Sequence, residues 1–540
     1  MLLILAWFTV NSAATLAADM VITGARIYTL DPSRPVVSAL AVKDGRIVYA
    51  GDDASPYSGP KTRRIDGRGA TIVPGFIDSH AHMEGLGEEL ETLDLRDART
   101  VAEVAERVRR AAARLGPGEW VRGRSWDQTN WGGKFPTAAD LDGAASEHPV
   151  FLKRVDGHAA WVNRKALEIA GLTAATADPR GGRVLRDAAG QPTGVLIDNA
   201  QQLVERKIPA ASAADTKRRI ERAARECARL GITSVHDAGV SAQALAAYRE
   251  LAARGELPVR IYAMIGGPGA LWREYLERGP EVGERLSVRS IKLVADGALG
   301  SRGAALLKEY SDEPGNSGLV ILGREEIERV ARDAVRRGFQ VNTHAIGDRA
   351  NREVLQAYAA VLGGRSDRRF RIEHAQVVAP EDFELFARYG VIPAVQATHA
   401  TTDMRWAEAR LGPQRLKGAY AWRRFLSLGI PVPNGSDFPV EPPNPLFGYY
   451  AAVTRQDRSG NPKGGWMPDQ RMTREEALKS WTLDGAFAAF EEHVKGSLAP
   501  GKLADFVMLS ADILRAAPEE ILRTRVLMTV LGGQVVHEAR

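Results

Sequence analysis

Between residues 71 and 435 short apolar runs alternate with amphipathic helical stretches, and this alternation constrains the fold more than any other feature. The runs are Thr71–Ile77, Ile232–His236, Val259–Met264, Ser290–Ala295, Gln340–His344, Phe370–His374, Val391–Val395 and Ile430–Gly435. Helical stretches fall between most of them, at Ser241–Ala253, Arg324–Arg337, Asn351–Leu362, Pro380–Arg388 and Gly418–Leu428. Eight strands separated in this way predict an α/β fold, a distorted (β/α)8 barrel of the TIM type. One gap is anomalous. Roughly 150 residues separate the first run from the second, where a crossover needs about a dozen or more. Residues 85–220 are therefore expected to form a large insertion over the barrel mouth. It carries Trp120, Trp126, Trp131 and Trp161.

The two ends of the chain read differently. Met20–Leu30, Ser38–Val42 and Gly45–Ala50 lack helical period and are punctuated by Gly and Asp, as hairpins require. Ala504–Leu509, Val526–Val530 and Gln534–His537 have the same character. Residues 19–70 and 496–540 are expected to pair as a small β-sandwich. The barrel then takes 71–84 and 221–495. Before it, Met1–Val10 is apolar and is followed by small residues up to Ala18, the pattern of a cleaved signal peptide. This points to a periplasmic or secreted protein. A cytoplasmic one is the alternative, because no Lys or Arg precedes the apolar core. The run is too short for a strong membrane span, so no stable membrane insertion is expected.

Composition excludes some classes. With 72 basic and 67 acidic residues in 540, the net charge of +5 is too thinly spread to argue for nucleic acid. Cys227 is the only cysteine, so neither an internal disulfide nor a cysteine-based metal site can form. A small-molecule substrate is the expected partner, and homo-oligomerisation is left open.

The strand ends carry the chemistry. His80 and His82 stand at i and i+2, which on a strand point to one face. His344 and His374 end the fifth and sixth runs, Asp437 follows the eighth, and His236 and His399 stand at or just past two others. In a barrel such positions face the mouth. Imidazole and carboxylate suit zinc and similar ions. Lys292 lies inside an apolar strand, where a bare ammonium is costly. That cost disappears if its neutral amine takes up CO₂ to give a carbamate able to bridge two cations.

These residues, with Trp126-Asp127, Asp156-Gly157-His158, Asp296-Gly297, Gln396 with His399, Gly435–Glu441 and Gly496–Asp505, resemble the amidohydrolase superfamily. The likeness is to the branch that contains the N-substituted formamide deformylases, and it runs from about residue 19 to the C-terminus. The resemblance implies that His80, His82 and Asp437 bind one metal ion, and His344 and His374 a second. Carboxylated Lys292 would bridge the pair, two zinc ions in the fullest reading; one ion is the alternative. It implies hydrolysis of a non-peptide C–N bond, of amide or formamide type, by a hydroxide held at the metal. Asp437 would shuttle the proton, and Trp126, Asp127, His158 and His399 would line the substrate pocket. One departure stands out: the branch has proline after the glutamine of the seventh strand, and this chain has Ala397. The same ligand set would also serve an esterase, a lactonase or an isomerase. A non-catalytic metal-bound sensor or scaffold would be expected to have lost a ligand, and none is lost here.

Overall fold

The computed structural model describes residues 17–154, 159–179, 182–300 and 302–539. The chain divides into two compact units, one from residues up to Met83 together with Ile220–Arg540, the other Glu84–Arg219.

In the first unit the two chain ends build one mixed sheet of eight strands. Met20–Tyr28, Val36–Lys43, Arg46–Gly51, Arg63–Asp66 and Thr71–Pro74 come from the N-terminal side; Phe506–Leu509, Val526–Leu531 and Gln534–Glu538 come from the C-terminal side. Their inward residues, among them Ile22, Leu40, Ile72, Phe506 and Val530, close a dedicated apolar core. This is the sandwich expected from the strand patterns. Two of its hairpins turn on residue pairs with positive φ at both positions, Asp44-Gly45 and Gly532-Gly533, as two-residue turns between twisted antiparallel strands demand. Most of the predicted signal segment lies outside the described residues; Ala18 is already buried and hydrogen-bonded to Tyr57.

The barrel strands run parallel in chain order: β1 (Phe76–Ala81), β2 (Ile232–Val240), β3 (Arg260–Gly266), β4 (Leu286–Val294), β5 (Gln340–Ala345), β6 (Arg371–His374) and β7 (Ile392–Ala394). The intervening helices supply the outer layer; the one at Ala242–Ala253, for example, is capped by the Ser241 side chain and buries Leu245, Tyr248 and Leu251.

Two expectations need correction. The run Thr71–Ile77 is not one strand. It breaks at Gly75, so that Thr71–Pro74 joins the terminal sheet and Phe76 begins β1. A Cβ at Gly75 would lie 2.3 Å from the Thr233 side chain, a distance no real Cβ tolerates. The eighth run, Ile430–Gly435, is not a regular strand either; only Asn434 makes a parallel bridge, to Val395. Pro431 and Pro433 have no N–H to give a ladder. The segment still closes the barrel by single bonds on both sides. Gly435 N donates to Val395 O (3.0 Å), Ser79 N to Asn434 O (3.1 Å) and Asp437 N to His80 O (2.8 Å).

The second unit has its own six-stranded sheet, in the order Gly182–Arg186, Pro192–Asp198, Ala159–Val162, Val150–Arg154, Val121–Trp126 and Leu93–Asp94. Trp126 and Trp161 pack with Val104, Leu141 and Leu152 in its core. Among the described residues no helix is long and apolar enough to cross a membrane.

Candidate metal centre

Five of the six side chains expected to bind metal converge by parallel strand geometry alone. β1 carries His80 and hands His82 to the next turn, β4 carries Lys292, β5 carries His344, and β6 ends on His374. Asp437 arrives on the irregular eighth segment. His374 and Asp437 both have positive φ, 73° and 60°. Such backbone is costly for residues other than glycine. Here it is held by Asp437 N on His80 O and by the bond of the buried His374 ring to Gln396.

The histidines are oriented from behind. His80 Nδ1 donates to the Glu373 carboxylate. His82 Nδ1 donates to Ala238 O at 2.9 Å, and His374 Nδ1 to Gln396 Oε1 at 2.7 Å. Each of these bonds fixes the ring's tautomer and leaves Nε2 as the inward lone pair. His82 Nε2 lies 3.1 Å and His80 Nε2 3.5 Å from Asp437 Oδ1. The ring centroids of His374 are 4.5 Å from His344 and 4.8 Å from His80. Two triplets bring ligand atoms within 4.8 Å of one another: His80, His82 and Asp437, and His374, His399 and Asp437. His399, expected only to touch substrate, thus stands in ligand range, its Nε2 3.7 Å from Asp437 Oδ2. His344 faces the same cavity, with Nε2 3.4 Å from Asp296 Oδ1.

Lys292 is buried, and its Nζ donates to His80 Nε2 at 3.0 Å. Burial brings its ammonium down to about 8. Burial, then the Lys292 charge, hold His80 down at about 4, and His374 is pushed well below its ordinary value by burial and by His344. These imidazoles are neutral, as ligands must be. Asp296 is no ion-pair partner for Lys292; its oxygens accept from the backbone N–H groups of Ala305, Ile346 and Gly347 at 2.8–2.9 Å.

Below the cluster, Arg371 and Glu373 are wholly buried and 2.7 Å apart. Arg371 also donates to Ser79 O (2.5 Å) and to His236 Nδ1 (3.0 Å). His236 is therefore a buried bracing residue. Asp78 accepts from Ser436 N (3.0 Å) and Ser436 Oγ (2.6 Å), which ties β1 to the segment bearing Asp437. Burial raises the Asp78 carboxyl to about 7.

The donors fit a metal ion. Among the described residues the buried Nε2 atoms of His344 and His399 have no hydrogen-bond partner, which is the state of ligands awaiting a cation. The cluster opens into a cavity of about 500 Å³, whose wall includes Leu299, Trp406 and Val440.

The remaining candidates belong to the second unit. Trp126 is buried in the second unit, with Nε1 donating to Leu152 O at 2.8 Å. Asp127 pairs with Arg154 at 3.0 Å. His158 lies outside the described residues. Glu373 and Gln376, which sequence reading passed over, are named by the structure. An acidic residue inside an apolar strand was the available signal for Glu373.

Comparison with known proteins gives the same answer. The chain is 34% identical over 551 residues to Protein LONG AFTER FAR-RED 3 of Arabidopsis thaliana, across 98% of this chain and 94% of that one. It is 28% identical over 550 residues to an N-substituted formamide deformylase of Arthrobacter pascens, across 96% and 98%. Its fold matches that of an uncharacterized metal-dependent hydrolase from Pyrococcus horikoshii with a TM-score of 0.77 at 30% identity, covering 92% of this chain and 99% of the other. The amidohydrolase family profile spans residues 63–537, and with the barrel and its rim of histidines in place, the chain belongs to the amidohydrolase family.

Proposed function

We propose that the protein is a metal-dependent hydrolase that cleaves a non-peptide C–N bond of amide or formamide type. The observation that carries this reading is the orientation of the histidines. Glu373, Ala238 O and Gln396 occupy the Nδ1 atoms, and Nε2 of both His80 and His82 is turned toward one carboxylate, Asp437. His80, His82, His344, His374 and Asp437 would hold two divalent ions, zinc in our reading, with carboxylated Lys292 between them. Such ions polarise a carbonyl and lower the pKa of water to about 7.

The chain's own groups do the rest. With Lys292 near 8, the neutral amine that reacts with CO₂ is present close to neutral pH. Asp437 is held as a carboxylate: burial opposes this, but the hydrogen bond with His82 keeps it well below the usual range. In this reading it takes a proton from the attacking water and delivers it to the departing nitrogen, a contribution of about 10²–10⁴-fold. Leu299, Trp406 and Val440 give the cavity an apolar wall beside the reacting centre. Similarity along nearly the full chain to an enzyme named N-substituted formamide deformylase favours the C–N bond over an ester. The test is a hydrolysis screen of the metal-loaded protein over N-formyl amines, aryl amides, N-acyl amino acids, cyclic imides and carboxylic esters. Turnover of a C–N substrate well above that of the matched ester supports the reading; turnover of esters alone overturns it.

A further inference from the structure

One wall of the metal-centre cavity has a chemistry that the hydrolytic reading does not use. His399, Asp403 and Trp406 stand at i, i+4 and i+7 on the helix Ala397–Leu416, and all three line the cavity. That spacing puts them on one face, with Asp403 about one turn, ~5.4 Å, along the helix from His399. Asp403 does not stand alone. Gln376 Nε2 donates to the Tyr420 hydroxyl at 2.8 Å, and that hydroxyl donates to Asp403 Oδ2 at 2.8 Å. The second N–H of Gln376 reaches the same Oδ2 at 3.4 Å.

This chain of bonds has only one polarity. The single Tyr420 proton goes to the carboxylate, so the oxygen must accept from the amide, and the Gln376 amide cannot flip. Both of its N–H groups are spent, and its carbonyl is left for the cavity. Gln376 is only 5% exposed, and its Oε1 has no hydrogen-bond partner among the described residues. The same is true of Asp403 Oδ1. On the adjoining wall Glu441 uses Oε1 to accept from Thr402 Oγ1 at 2.7 Å, which leaves Oε2. Among the described residues no Lys or Arg pairs with Asp403 or Glu441. Three residues thus present acceptor oxygens, two of them carboxylate, beside an indole. Enclosing carboxylates with no cation paired to them is costly, and a cation with several N–H groups is the complement that removes the cost.

We infer that Gln376, Asp403 and Glu441, flanked by Trp406, form a subsite for a cationic, multiply N–H-donating group of the substrate, an ammonium or amidinium, adjacent to the scissile bond. The inference rests on the hydrolase reading for its meaning, since it names the class of substrate that the metal centre would process. Its test does not depend on turnover, so either reading can fail alone. Benzamidinium is an inert amidinium, and benzamide is its neutral counterpart of nearly the same shape. Binding of each to the zinc-loaded protein is measured by calorimetry near neutral pH. The subsite predicts that benzamidinium binds at least about tenfold more tightly than benzamide, a difference of about 1.4 kcal/mol. It predicts further that Asp403→Asn, at unchanged zinc content, removes most of this preference. Equal affinity of the two probes, no saturable binding of benzamidinium, or a preference that survives in both Asp403→Asn and Glu441→Gln overturns it. The wild-type comparison of the two probes decides the matter even if a variant does not fold.

Discussion

Glu373 reaches from β6 to the Nδ1 of His80 on β1, and Arg371 holds the same carboxylate from the other side. This places a buried ion pair directly behind one of the rim histidines. Burial would push the Glu373 carboxyl up, but Arg371 and His80 bring it down to about 2, so it stays an acceptor. Replacing Glu373 by Gln keeps the shape and loses the charge that fixes the His80 tautomer. Zinc affinity of Glu373→Gln is expected to fall by about 10–100-fold, as read by competition with a chromophoric chelator. Wild-type affinity in this variant would mean that the ring is held by packing alone.

Gly435 lies where β1 and the segment bearing Asp437 come closest. A Cβ there would stand 2.5 Å from His80 N and 2.8 Å from Asp78 Oδ1. Gly435→Ala must therefore displace either the His80 backbone or the Asp78–Ser436 clamp. We expect a loss of about 1–3 kcal/mol in unfolding free energy, together with reduced metal content. Denaturant titration and elemental analysis check both, and a variant of wild-type stability with full metal would refute the close approach.

Lys292 makes a separate prediction about carbon dioxide. Since burial brings its ammonium to about 8, carbamate formation should limit metal loading where CO₂ is scarce. Apoprotein reloaded with zinc in CO₂-depleted buffer is expected to recover less metal than with added bicarbonate. In Lys292→Met the bicarbonate effect should vanish. Equal loading with and without bicarbonate in the wild type would argue for a free amine.

Away from the centre, Arg260 on β3 is clamped by Asp505 from the terminal sheet, at 2.7 and 2.9 Å, and Asp505 also accepts from Gly532 N at 2.7 Å. Burial alone would raise the Asp505 carboxyl, yet the Arg260 charge holds it below its ordinary value of 3.8. A depressed folded-state value means that the pair's stabilisation is fully present above about pH 4. It is lost as pH falls through the folded value. Asp505→Asn leaves the buried guanidinium with only the more exposed Glu284 carboxylate and is expected to cost about 3–5 kcal/mol at neutral pH. The gap between wild type and variant should narrow as pH is lowered below 4; a gap independent of pH would exclude the linkage.

Much of this was legible in the sequence, because strand runs and their histidines are local signals. His80 and His82 share a face by spacing alone, and the eight-run alternation led to the barrel. What escaped depends on pairings between distant segments. Gly75 divides one apolar run between two sheets only because Thr233 occupies the space a side chain would need. The run Ile430–Gly435 looked like a strand until its two prolines were set against the ladder it had to form. Ala397 shows in the sequence only as a departure from the proline of this branch; in the structure its N–H donates to Asn434 Oδ1 at 3.1 Å, a bond proline could not make. Glu373, Gln376 and Asp403 act through partners 293, 44 and 17 residues away, and no spacing rule reaches that far.

The account's central claim is that cations held by the rim histidines and a proton carried by Asp437 act together. It is tested most directly by turnover of the best C–N substrate before and after chelation, in wild type and in Asp437→Asn. Stripping is predicted to abolish activity and zinc to restore it in the wild type. Reloaded Asp437→Asn should stay about 10²–10⁴-fold down while it still retains zinc. Undiminished turnover by the stripped protein, or by the zinc-loaded variant, would contradict the account.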